Sequence, residues 1–271
     1  MNIICEKPTA EFVTVTPEIA KSWLELNIEN RRHRGWWSSA LANAIRRGEW
    51  IVSHQGIAFS SSGILIDGQH RLHSVVESQT PIKILVTRGL SEDAYKVIDT
   101  GMKRTLSDLT GISIRTAEVC RHLARMVHGG SVTTAMECEE IYKCGVGEVA
   151  EELQDFCNTS IKIFSAVSVR VGAICLILDG HDKNYIKNLY ANLCHQKYKE
   201  LPPIAESFVR QANDKRINAN SKSDLLARSL KVFNPQFENV QKLIITDADC
   251  VSANAFCRNI VKNLLAKNEV Y

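Results

Sequence analysis

Between Phe12 and Leu90 the chain switches repeatedly between strand-like alternation and the helical period. "FVTVT" (Phe12–Thr16) alternates as a strand does. Pro17 follows at the first position of a helix, where its missing N–H is no loss, and Ile19, Trp23, Leu24 and Ile28 fall near one face of the run that begins there. After the arginine-rich link "ENRRHRG" a second helical pattern, "WWSSALANAIRRGEW", has Gly48 as its stop. Three short strand patterns come next, "WIVSH", "GIAFS" and "ILID", the last two separated by the turn-forming "SSG". "GQHRLHSVVES" then sets Leu72, Val75 and Val76 on one helical face, and "PIKILVTRGL" is a further strand. "SEDAYKVID" predicts a short helix with Ser91 as N-cap and Glu92 and Asp93 in its first turn, where the helix dipole favours them.

Beyond Leu106 helical patterns take over: Thr116–Val127, Met136–Tyr142, Val146–Phe156, Val167–Leu178, Lys183–Gln196, Pro203–Ala212, Ser223–Phe233 and Ala248–Ala266. "KLIITDA" near Lys242 is the one strand pattern among them. The expectation is an α+β protein with a mixed α/β N-terminal domain over residues 1–112 and an all-α C-terminal domain over 113–271. No internal repeat or low-complexity segment interrupts either half.

Composition narrows the class. At 45% hydrophobic and 23% charged the 271-residue chain is an ordinary globular protein, which sets disorder aside. A formal charge of +3 is too small to mark a dedicated nucleic-acid binder by itself. Nine cysteines, an odd number with no C-x-x-C pair, argue against a disulfide framework or a zinc ribbon. The N-terminus lacks a basic segment followed by a long apolar one, and no run reaches the ~20 apolar residues of a membrane span, so a cytoplasmic protein without a membrane partner is expected.

The polar density of "ILIDGQHRLHSVVES" (Ile64–Ser78) marks the candidate site. Gly68 stands where an apolar strand hands over to a helix, and the first N–H groups of a helix form a natural anion site. With no Cβ, Gly68 lets a ligand approach the backbone, while Gln69, His70 and Arg71 add side-chain donors, Arg71 as a bidentate phosphate clamp. Asp67 has two readings: a helix cap accepting from the N–H of Gln69 or His70, or a catalytic group that holds a divalent cation or activates a hydroxyl or water. His73 lies three residues after His70, but no third ligand stands nearby in the sequence, so a metal site is not expected there.

"LIDGQHRLHSV" resembles the DGQHR-type motif of the ParB/sulfiredoxin-like superfamily, and the frame "TPEIAKSWLELNIENRR", "ALANAIRRGEW", "GILIDGQHRL", "VIDTGMKRTLSDL" is similar to phage and prophage proteins with a ParB-like N-terminal domain. The likeness spans about the first 110 residues. It implies a nucleotide site at Gly68–Arg71 that contacts the phosphates of ATP or CTP, with His70 and Arg71 as principal ligands. Sulfiredoxin chemistry is disfavoured, because its reactive cysteine is replaced here by Gln69. No helix-turn-helix of the kind that follows the ParB nucleotide domain is recognisable after residue 112.

Two further clusters could complete the pocket. Asn30, Arg31, Arg32 and Arg34 could reach phosphates or, on the plainer reading, form a solvated loop; the resemblance matches Asn30 and Arg31 to an Asn-Arg pair. "VIDTGMKRTLSDL" offers Arg104 to phosphate and Asp99 to a metal ion, or is simply a linker whose Thr105 or Ser107 caps the next helix with Asp108 on its dipole. Trp36, Trp37 and Trp50 are read as core aromatics, with base stacking as the alternative.

The leading expectation is therefore an NTP-binding protein of phage or mobile-element type, an Mg²⁺-dependent NTPase or phosphotransferase acting in DNA metabolism. Its rival is a non-enzymatic DNA-binding or regulatory module using Arg31, Arg32, Arg34, Arg46 and Arg47. A nucleotide, DNA and a second copy of the chain are the partners carried forward.

Overall fold

The computed structural model describes residues 7–28, 30, 32–98, 104–129, 132–156, 159, 161–214, 217 and 221–268. Two units emerge, one of residues 1–103 with 130–132, the other of 104–129 with 133–271. The architecture is mixed α+β, with a four-stranded sheet in the first unit and helices in the second.

The first unit runs β1 (Thr9–Val15), α1 (Pro17–Leu24), α2 (Gly35–Arg46), β2 (Ile57–Ser60), β3 (Leu65–Asp67), α3 (Gln69–Ser78) and β4 (Ile82–Leu90). Thr16 opens α1 by accepting the N–H of Ile19, with Pro17 at the first position as expected. The sheet order is β1-β4-β2-β3, with β4 antiparallel to β1 and parallel to β2, and β2 antiparallel to β3. Parallel pairing of β2 with β4 demands a crossover, and α3 lies within it. Ile82, Ile84 and Val86 of β4 are buried while Lys83 between them is exposed, and they join Val15, Ile57, Phe59, Leu65, Leu72 and Val75 in one core.

"WIVSH" is not a strand. Both sides of β4 are already occupied, by β1 and β2, so residues 50–54 find no ladder there; Ile51 and Val52 are exposed, and Trp50 donates from Nε1 to the Lys83 carbonyl at 3.0 Å. The segment after Ser91 forms a 3₁₀ turn, Glu92–Lys96, with the expected Ser91 cap.

The second unit comprises α4 (Leu106–Thr110), α5 (Ile114–His128), α6 (Ala135–Ile141), α7 (Gly147–Gln154), α8 (Val167–Leu178), α9 (Lys183–Cys194), α10 (Pro203–Asn213), α11 (Lys222–Phe233) and α12 (Asp247–Asn268). Its first helix lies before the boundary expected at residue 112. Thr105 and Asp108 close α4 with a reciprocal capping box, and Leu106 packs on the helical core. Helix α8 is the centre: every residue from Ser168 to Leu176 is buried. Gly172 lets α11 approach closely, since a Cβ there would meet Ser229 Oγ at 2.3 Å, and that hydroxyl donates to the Val169 carbonyl at 2.7 Å.

"KLIITDA" is not a strand either. Its polar backbone is held by side chains instead: the Leu243 N–H donates to Ser207 Oγ, and the Leu243 and Ile244 carbonyls accept from Gln211 and Lys231. None of the seven described cysteines forms a disulfide. Among the described residues no helix is long and apolar enough to cross a membrane.

Candidate functional site

At the end of β3 the chain turns through Gly68, whose φ of 99° and ψ of 6° lie in the left-handed region; it is the N-cap residue of α3, and no side chain caps that helix. A Cβ at Gly68 would stand 2.9 Å from Ile57 Cγ1 and 3.0 Å from Ile57 Cα. The glycine is thus required by β2 beneath it as well as by backbone conformation. Asp67 is the residue before the cap: its Oδ1 accepts the Gly68 N–H at 2.7 Å, and its Oδ2 lies 3.7 Å from Arg71 Nη1.

The side chains of the turn knit the unit together. Arg71 donates from Nη1 to the Gly56 carbonyl at 3.1 Å and from Nη2 to Gln55 Oε1 at 3.0 Å, tying α3 to the segment entering β2. Gln69 is buried and accepts from Asn27 Nδ2 at 3.3 Å. Asn30 in turn donates to Asn27 Oδ1 and to the Leu65 carbonyl, both at 2.6 Å, while the Leu65 N–H donates to the Leu26 carbonyl at 3.0 Å. The loop after α1 is thereby laid along β3. His70 is buried, and its Nε2 accepts the Arg34 N–H at 3.2 Å, which puts the proton of the neutral ring on Nδ1.

That last bond joins two helix starts, because Arg34 is the N-cap residue of α2. At the far end Arg46 of α2 donates to the Glu77 carbonyl of α3, and between them Ser39 Oγ donates to Glu77 Oε2 at 3.0 Å. The helices therefore run side by side in the same direction with their N-termini together, and neither has a side-chain cap. Each such end carries about half a positive charge, so the two add.

Around this double terminus stands one group that the sequence does not single out, His33, together with several that it does. The His33 ring stacks on His73 at 3.9 Å between centroids and lies 5.4 Å from His70, and its Nε2 is 2.7 Å from Ser38 Oγ. Burial, and secondarily the charge of His33, pushes His73 below the ordinary histidine range. Trp36 and Trp37, expected in the core, are 53% and 40% exposed and meet edge-on at 5.8 Å. They occupy the first turn of α2, whose buried face is instead Ser38, Ala42 and Ile45. Arg32 and Arg34 are exposed as well.

The remaining candidates are placed differently. Arg31 and Asp99 lie outside the described residues. Arg104 is exposed and belongs to the helical unit. Arg46 and Arg47 are engaged locally, Arg46 with Asn43 and Glu77, Arg47 with Glu49. Among the described residues no group of three His, Cys, Asp or Glu side chains could hold a metal ion. Comparison of the chain with protein-family models, with curated proteins and with solved structures found no match.

Proposed function

We propose that the joined N-termini of α2 and α3 bind the phosphates of a nucleoside triphosphate, ATP or CTP, in line with the resemblance of the DGQHR turn to the ParB/sulfiredoxin-like superfamily. One observation carries this reading: two parallel helices, neither capped by a side chain, begin together and are linked by the Arg34–His70 hydrogen bond. Exposed Arg32 and Arg34 supply charge-assisted donors beside them. Arg71 spends two donors on Gly56 and Gln55 and keeps others for phosphate, while His70 ties the start of α3 to that of α2 and Gln69 ties it to Asn27 in the loop after α1. The exposed indoles of Trp36 and Trp37 offer stacking faces for a base.

Asp67 is the carboxylate of the turn and the group we assign to accept a proton from an attacking water or hydroxyl in hydrolysis or phosphoryl transfer. Mg²⁺ that accompanies the nucleotide would take most of its ligands from phosphate oxygens and water, with Asp67 the one carboxylate the turn adds. The setting implied by the resemblance is phage or mobile-element DNA metabolism.

A second reading has support of its own. Exposed Trp36 and Trp37 flanked by Arg32 and Arg34 suit a single-stranded nucleic acid, whose bases stack on aromatic rings while cations follow the backbone. A thermal-shift panel of ATP, CTP, GTP and UTP, with and without Mg²⁺, separates the two on wild type, Arg34→Ala and His70→Ala. A saturable rise in the melting of the first unit, which holds all four tryptophans and is followed by their fluorescence, worth about 2.7 kcal/mol at a hundredfold excess over Kd and lost in both variants, is the nucleotide result. A response to an oligonucleotide and to no mononucleotide would replace it with the second reading.

A further inference from the structure

The helical unit holds a second concentration of positive charge that owes nothing to the turn at Asp67–Arg71. A cavity of about 480 Å³ opens beside α5 and the start of α8, within the ~300–1,000 Å³ typical of small-molecule sites. Arg115, Arg121, Arg125, Lys162, Arg170 and Lys222 line it, against a single carboxylate, Glu118. Arg170 is buried and each of its three nitrogens is engaged: Nε donates to the Ser165 carbonyl, Nη1 to the Arg115 carbonyl, and Nη2 pairs with Glu118 at 2.5 Å. That pair consumes the only negative charge. The other five cations have no ion-pair partner among the described residues.

Two more features suit an anion. Ala166 and Val167 form part of the wall, so the first turn of the twelve-residue α8 faces the cavity, and no side chain caps that helix. Lys222 is the first residue of α11, which is likewise without a side-chain cap. His122 also lines the cavity, and its Nε2 is buried with no hydrogen-bond partner. A buried ring nitrogen left unpaired costs free energy that a ligand oxygen would recover.

We propose that this cavity binds a compact polyanion, a di- or triphosphate group, held by Arg115, Arg121, Arg125, Lys162 and Lys222 over the start of α8. A concave site favours a small polyphosphate over a nucleic-acid backbone, whose regularly spaced phosphates are met by cations along an open face. Burial first, then Lys222, Arg125 and Arg170, pushes His122 down to about 4 in the ligand-free protein. A bound polyanion opposes the field of those cations and so raises the pKa of His122.

The test uses the full chain and inorganic triphosphate, with ATP as a second arm, in calorimetric titrations at matched ionic strength. Saturable binding to wild type and to His70→Ala is expected, weakened at least about tenfold in the Arg125→Ala, Lys222→Ala double variant, as for lost charge-assisted hydrogen bonds. Both side chains are exposed, so the fold should survive their truncation, and Arg125→Glu repeats the test at a single position. The imidazole ¹⁵N shifts of His122 should report protonation at a higher pH with triphosphate than without. No saturable binding, affinity unchanged in these variants, or binding of an oligonucleotide alone overturns the assignment. Because His70→Ala leaves this cavity intact, its failure is distinguishable from failure of the site at α2 and α3.

Discussion

Replacing Gly68 by alanine separates two reasons for the glycine, and Gly63 supplies the control. Both residues have positive φ, 99° and 83°, so each alanine pays the left-handed backbone cost of roughly 1–2 kcal/mol. Around Gly63 a new Cβ meets nothing within 4 Å; at Gly68 it meets Ile57 Cγ1 at 2.9 Å and Ile57 Cα at 3.0 Å. The Cα belongs to β2 and cannot rotate away, and Ile57 is packed in the core, so overpacking adds about 1–3 kcal/mol. Gly68→Ala should therefore destabilise the unit by roughly 2–5 kcal/mol and Gly63→Ala by roughly 1–2 kcal/mol, each lessened by a similar loss of unfolded-chain entropy. All four tryptophans lie in the first unit, so urea titration followed by tryptophan fluorescence reads this unit alone. Equal losses at the two positions would show that β2 exerts no steric demand on Gly68, and a loss below about 0.5 kcal/mol at Gly68 would refute both parts of the reasoning.

His122 should make the helical unit acid-sensitive. Its folded pKa is pushed down to about 4, below the ~6.5 of an exposed histidine, so the unfolded chain binds the extra proton between those values. Stability is thus highest above pH 6.5 and falls, by at most about 3 kcal/mol, as pH is lowered through the window. Urea midpoints by circular dichroism should lose that slope in His122→Gln, and parallel pH profiles would count against it. Asn30→Ala removes the donor to Asn27 Oδ1 and the Leu65 carbonyl, and should cost about 1–3 kcal/mol by tryptophan fluorescence. No change would mean the loop after α1 is held elsewhere.

Local signals were readable where local physics decides. The handover from "ILID" to "GQHRLHSVVES", the burial of Leu72 and Val75, the Pro17 start of α1 and the Thr105–Asp108 cap all follow from period, propensity and capping. "WIVSH" has the composition of a strand, yet strand formation needs an open edge, and the β1-β4-β2-β3 order leaves none beside β4. Trp36 and Trp37 reach solvent because α2 turns its Ser38–Ala42–Ile45 face inward, a choice between two apolar stripes that only packing settles. The site was half legible. The DGQHR turn announced its polar density, but not that Arg71, Gln69 and Asn30 hold neighbouring segments, nor that His33 and Arg34 arrive from a distant loop. The cavity of the helical unit was invisible for the same reason: its cations come from α5, the segment before α8, α8 itself and α11, and converge only when the bundle closes.

Backbone amide chemical shifts, followed while ATP or CTP with Mg²⁺ is titrated into the full chain, test the phosphate site most directly. Selective, saturating shifts of Gly35, Trp36 and Gly68–Arg71 are predicted for at least one of the two nucleotides. Amides at both helix starts that stay unmoved with either nucleotide, whether or not residues of α5 and α8 respond, would contradict it.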